Sequence, residues 1–195
     1  SFTLTVFSVV SIAIFAVLCV LEIIPFGNAM EDAISKPGKR SFHCQHGPKE
    51  CYGNTILNCA YSKLNSQDDR EDFTICFAEQ INKQTRLKSN LDEITNNCLP
   101  ERIDVAESVL QCANGVEGGE LMHEAARRTK QHTYVPYVLV DGIHTEDIEE
   151  KVEDNLIKYL CEKSKLVNKV PGCMLSELQT QAYSNIMNGL MKYLK

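Results

Sequence analysis

Cys44-Gln45-His46-Gly47-Pro48-Lys49-Glu50-Cys51-Tyr52-Gly53-Asn54-Thr55-Ile56-Leu57-Asn58-Cys59 is the stretch on which the reading of this chain turns. Three cysteines fall within sixteen residues, around a Gly-Pro turn. Such density is foreign to a reduced cytosolic protein and suits an oxidising compartment. The stretch reads as a stapled turn feeding a helix. From Asn54 to Leu64 the apolar residues Ile56, Leu57, Ala60, Tyr61 and Leu64 recur at helical spacing.

The remaining cysteines extend this reading. Of the nine in the chain, Cys19 lies in an apolar N-terminal stretch, which leaves eight: Cys44, Cys51, Cys59, Cys76, Cys98, Cys112, Cys161 and Cys173. An even number behind a hydrophobic N-terminus reads as a disulfide framework whose pairing the sequence leaves open. A length of 195 residues suits one domain with a core of its own. A formal charge of -6, with Lys and Arg scattered, gives no nucleic-acid footprint.

Ser1 to Leu21 carries no charge. We read residues 1–19 as a secretory leader, with Ala16 or Ala29 before the cut; a retained anchor or a buried strand are the other readings. A membrane contact is expected only if that leader is retained. Val20 to Ala29 reads as a strand stopped by Pro25 and Gly27, and Lys36-Pro37-Gly38-Lys39-Arg40 as a loop. Helices are expected over 70–84, after Pro100 up to Asn114-Gly115, and over 118–130, with 83–97 a polar linker holding one weak helical turn. Tyr134 to Val140 is the clearest strand of the mature region, followed by the hairpin dipeptide Asp141-Gly142. Thr145 caps a further helix. The tail over 174–195 reads as an amphipathic helix.

The spacing C-Q-H-G-x-x-E-C-x-x-N-x-x-x-x-C, with Gln45, His46, Gly47, Glu50 and Asn54, resembles the signature of the gamma-interferon-inducible lysosomal thiol reductase family. Leu121-Met122-His123-Glu124-Ala125-Ala126-Arg127-Arg128-Thr129, and Tyr134-Val135-Pro136-Tyr137-Val138 with Asp141-Gly142, are similar to two further segments of that family. The resemblance spans residues 20–173. It implies an α/β, thioredoxin-like core with a helical insertion, stapled by up to four disulfides, and delivery through the secretory pathway to the lysosome or the extracellular space. It implies reduction of disulfide-containing protein substrates, without a bound cofactor or metal. It also implies that Pro136 is a cis proline facing the substrate.

The reductase chemistry needs a C-x-x-C at a helix N-terminus, where the helix dipole lowers one thiol's pKa. A thiolate attacks the substrate disulfide and its partner resolves the mixed disulfide. No two cysteines of this chain stand in that spacing; Cys44 and Cys51, seven apart, come closest. By resemblance the dithiol belongs ahead of Leu21 to Ala29, on a first strand and helix that we read as missing, so that residues 20–173 form an incomplete domain. The expectation is a chain of this family that lacks turnover, from a skipped exon, a faulty gene model or a true variant. The alternative is a redox-inactive, disulfide-rich secreted binding protein. His43, Cys44, His46 and Cys51 fit no standard zinc spacing. His123 reads as a packed or surface histidine rather than an acid or base.

Overall fold

The computed structural model describes residues 2–9, 18–83 and 90–164. It is a mixed α/β fold, mostly helical, in the order β1 (Phe2–Val9), β2 (Leu18–Pro25), β3 (Met30–Glu31), β4 (Phe42–His43), α1 (Pro48–Lys63), α2 (Gln67–Lys83), α3 (Leu91–Asn97), α4 (Ile103–Ala113), α5 (Val116–Arg128), β5 (Tyr137–Val140) and α6 (Glu146–Ser164). The tail over 174–195 and Cys173 lie outside the described residues, as does part of the expected polar linker.

The stretch read as a leader supplies β1, the middle strand of a three-stranded sheet ordered β2-β1-β5. β1 pairs antiparallel with β2 and parallel with β5. Because Phe2 faces Pro25 and Thr3 faces Tyr137, the end of β2 and the start of β5 lie at the same end of the sheet, on either side of the start of β1. That register brings two segments distant in sequence to one end of the sheet.

Alternation along β2 divides its side chains between two faces. Leu21 and Ile23 pack with Val138, Val140, Val152 and Leu156 of β5 and α6, while Ile24 joins Phe26, Met122 and Ala125 on the side of α5. A larger core, centred on Ile56, Leu57, Phe73, Phe77, Ile94 and Val109, binds α1 to α4 into the helical insert. The linker expected to hold one weak turn contains α3, whose start Asn90 caps by accepting from the Asp92 and Glu93 amides. The loop expected over 36–40 is the tip of a small hairpin, β3 with β4, where Gly38 takes a φ of 76°. Thr145 caps α6 as expected, its Oγ1 accepting from Ile148 N at 3.1 Å. Asn155 breaks that helix with a φ of -161° and then caps the second half by accepting from Lys158 N at 2.9 Å.

Candidate functional site

The signature residues meet the turn that ends β2. Gly47 at the head of α1 has a φ of 93°, the left-handed region in which glycine is favoured, and Pro48 takes the first helical turn, where its missing N–H is harmless. Glu50, also in that turn, receives the His46 backbone amide at 2.6 Å and lies 3.2 Å from His46 Nδ1. Gln45 Oε1 accepts from Asn28 Nδ2 at 3.0 Å. Asn54 is fully buried and donates to the carbonyl of Phe26 at 3.2 Å, and Asn58 donates to that of Pro25 at 2.8 Å. Side-chain amides thus capture the carbonyls where β2 runs into the Pro25–Ala29 turn, Asn58 that of Pro25 and Asn54 that of Phe26, which the Ala29 amide shares at 3.2 Å. Sequence reasoning singled out Asn54 but missed Asn58, one helical turn further on the same face.

Disulfides join Cys44 to Cys51, Cys59 to Cys112 and Cys76 to Cys98, and Cys161 is disulfide-bonded as well. The first staples the turn to α1; the second, wholly inside the core, ties α1 to α4; the third ties α2 to the end of α3. His43 pairs with Asp32 at 2.9 Å. The residues considered as zinc ligands are therefore already engaged: two cysteines with each other, His43 with Asp32 and His46 with Glu50. Cys19 stands opposite Ser8 in the register of β1 and β2.

At the other side of the same sheet end, the Val135–Pro136 peptide bond is cis and Pro136 is buried immediately before β5. The first residues of β5 carry a cluster that the sequence did not announce. Val138 N donates to the buried Glu149 at 3.1 Å, and His144 Nδ1 lies 2.9 Å from Val138 O. A carboxylate and an imidazole thus occupy the edge positions a neighbouring strand would fill. Tyr134 OH is 3.2 Å from His144 Nε2, and the Tyr137 and His144 rings lie 4.0 Å apart. Loss of hydration, then the nearby Glu149 charge, raises the Tyr134 phenol above its ordinary pKa. Asp141 and Gly142, with φ of 52° and 78°, form the expected tight turn, closed by Val140 and Ile143. A β-rich run before Asp-Gly marks the strand, but nothing local foretells that Glu149, a turn into α6, reaches back to it.

His123 is held by Glu31 at 2.7 Å. Glu31 also accepts from Arg40, which grips Glu120 through Nε and Nη2 at 3.1 and 2.9 Å. This network clamps the β3–β4 hairpin onto α5. The Arg40 hydrogen bond holds the Glu120 carboxyl below its usual pKa. Among the described residues no group of three or more His, Cys, Asp or Glu is placed to hold a metal ion, and no helix is long and apolar enough to cross a membrane.

A family model described as gamma interferon inducible lysosomal thiol reductase matches residues 3–102, which takes in β1, β2, the signature and the start of the helical insert. A gamma-interferon-inducible lysosomal thiol reductase of Carassius auratus is 29% identical over 174 residues, covering 86% of this chain and 64% of that protein. The Mus musculus protein of the same name is 35% identical over 126 residues, covering 62% of this chain and 47% of its own length. GILT-like protein 1 of Drosophila melanogaster is 26% identical over 152 residues, covering 73% and 60%. The chain therefore spans between about half and just under two thirds of the length of these relatives. With its signature fixing the β2 turn to α1, the chain belongs to the gamma-interferon-inducible lysosomal thiol reductase family.

Proposed function

We propose that this chain is a thiol reductase-like protein of the lysosome or extracellular space, built on a thioredoxin-like core and made to engage disulfide-containing proteins. Over these 195 residues it carries no redox dithiol, so it does not turn them over. One observation carries the reading. Pro136, next to the start of β5, and the Pro25–Ala29 turn stand at one end of the sheet, while no two cysteines have C-x-x-C spacing. Pro136 supplies a backbone platform for a substrate strand. The bridged cysteines from Cys44 onward hold the scaffold and do not react. Three disulfides, with Cys161 bonded too, support folding in an oxidising compartment.

Insulin reduction in acid, with a dithiol supplied, tests this. No protein-dependent turnover from a folded sample is expected; turnover abolished by alkylation would overturn it. Targeting has its own test, because removing residues 1–16 would take β1 out of the sheet. N-terminal sequencing of protein secreted from a eukaryotic host assigns those residues. A mature start beyond Ala16 makes them a leader, and retention of Phe2–Val9 in the mature chain keeps β1 in the sheet.

The second reading, a redox-inactive binding protein, is favoured by the way Gln45, His46, Glu50 and Asn54 are each engaged inside the scaffold. Genomic DNA between the codons for Cys19 and Leu21 separates the two origins: an in-frame C-x-x-C exon there supports an enzyme, and uninterrupted coding supports the binding protein.

A further inference from the structure

Two pairs of adjacent basic residues occur in this chain, Lys39-Arg40 and Arg127-Arg128. Endoproteases of paired-basic specificity cut after the second residue of such a pair, whose guanidinium must enter a carboxylate-bearing pocket. Lys39-Arg40 stands where nicking concentrates, at the tip of the β3–β4 hairpin, with Lys36, Pro37, Gly38 and Lys39 all exposed.

Arg40 itself is withdrawn. Its side chain is 10% exposed, and all three guanidinium nitrogens already lie on carboxylates. Nε and Nη2 donate to Glu120 at 3.1 and 2.9 Å, and Nη1 donates to Glu31 at 3.1 Å. These are the contacts that a protease's specificity pocket would have to replace. The peptide bond after Arg40 is held as well, because Ser41 N donates to Ser35 Oγ at 3.0 Å. Gly38 N donates to Glu120 at 2.6 Å, so one carboxylate fixes both the tip and the arginine. The second pair repeats the pattern: Arg128 is paired with Glu22 and Arg127 with Glu124. There the Thr129 amide stays bonded to Ala125 O at 3.0 Å.

We propose that Lys39-Arg40 is a latent site for a paired-basic endoprotease, and that the Glu120–Arg40 clamp keeps it closed in the folded chain. The reaction is hydrolysis of the Arg40–Ser41 amide: water adds across it, leaving a carboxylate on Arg40 and an amine on Ser41. That cut divides β1 and β2 from the three bridges Cys44–Cys51, Cys59–Cys112 and Cys76–Cys98. The secretory placement proposed above says only where such a protease is met. The clamp itself depends neither on that placement nor on redox chemistry.

Timed digestion of the folded full chain tests it, using a purified serine endoprotease that cuts after Lys-Arg at neutral pH, with fragments identified by mass. The wild-type chain is expected to resist at Arg40. Where opening is fast relative to cutting, the rate follows the open population. Glu120→Gln loses the charge-assisted pair and is expected to be cut after Arg40 about tenfold faster. Glu31→Gln is expected to speed the same cut by less, and cutting after Arg128 to stay unchanged in both variants. Wild-type chain cut after Arg40 as fast as reduced, unfolded chain overturns the proposal. So does a Glu120→Gln chain cut at the wild-type rate. A chymotrypsin-type protease separates local opening from loss of the hairpin, because Phe42 packs 6.2 Å from Phe26. No gain in cutting after Phe42 is expected in Glu120→Gln; a parallel gain there would mark a hairpin that has merely unfolded, and overturns the proposal too. None of these outcomes bears on the insulin rate.

Discussion

Two regions at one end of the sheet solve the same problem with different chemistry. Beside β2, the carbonyls of Pro25 and Phe26 are taken by the amides of Asn58 and Asn54, and the loop that carries Gln45 and His46 is stapled by Cys44–Cys51. Beside β5, the N–H and C=O of Val138 are taken by Glu149 and His144. The asparagine amides are neutral donors, so the two carbonyls of the first region are held without a charged side chain. The second region instead uses a carboxylate, which accepts from the Val138 amide, and an imidazole, which lies against the Val138 carbonyl. The contrast separates a turn held by neutral amides from a strand head held by a carboxylate and an imidazole.

The largest effects should fall on the scaffold. Replacing both Cys59 and Cys112 by alanine opens a loop of 53 residues in the core, and should cost about 4 kcal/mol in denaturant unfolding. Replacing Cys44 and Cys51, seven apart, should cost about 2.5 kcal/mol on the same argument from loop length. Equal losses would mean that strain or unfolded-state structure outweighs chain entropy at these bridges.

Single side chains come next. Asn54→Ala removes one of the two donors on the buried Phe26 carbonyl, which keeps the Ala29 amide, and should destabilise by about 0.5–1.5 kcal/mol, whereas Gln45→Ala, at an exposed position, should leave the melt within about 0.5 kcal/mol. Glu149→Ala leaves the Val138 amide without its acceptor and should cost about 1–3 kcal/mol. Glu149→Gln keeps an acceptor oxygen and should recover most of that, while removing the charge beside Tyr134. A phenol titration that drops toward the ordinary value in Glu149→Gln checks this, since Glu149 is a named contributor to the raised Tyr134 pKa.

The smallest effect is on the acid limb of stability. The Glu120 pKa is lowered, first by the Arg40 hydrogen bond and then by the Gly38 amide. A carboxyl with a lowered folded pKa contributes stability that is complete above its unfolded value and is lost as pH falls through the folded one. Stability should therefore decline in acid through Glu120, and more shallowly in Glu120→Gln. Parallel acid limbs in the two proteins would remove the hairpin clamp from the account.

Much of this was legible in the chain, and the misses share a cause. Gly47-Pro48 followed by Ile56, Leu57 and Ala60 at helical spacing announced α1, and Asp141-Gly142 announced the turn after β5. Residues 1–19 were read as a leader because they carry no charge, yet Phe2-Thr3-Leu4-Thr5-Val6 alternates apolar and polar with the period of a strand. β3 and β4 are two residues each, too short to leave a pattern. The kink at Asn155 escaped because Leu156, Tyr159 and Leu160 keep helical spacing across it. The roles of Glu149 and His144 are tertiary: each reaches across the chain to one strand residue, Val138, and no local rule encodes that. That no two cysteines of these 195 residues stand in C-x-x-C spacing is, by contrast, read directly from the sequence.

The most direct test of the central claim is the rate of insulin reduction by the purified, folded chain in acid with a dithiol reductant present. The account predicts the rate of the dithiol alone. A protein-dependent rate that alkylation abolishes would show that two of these cysteines form a working pair, and would contradict it.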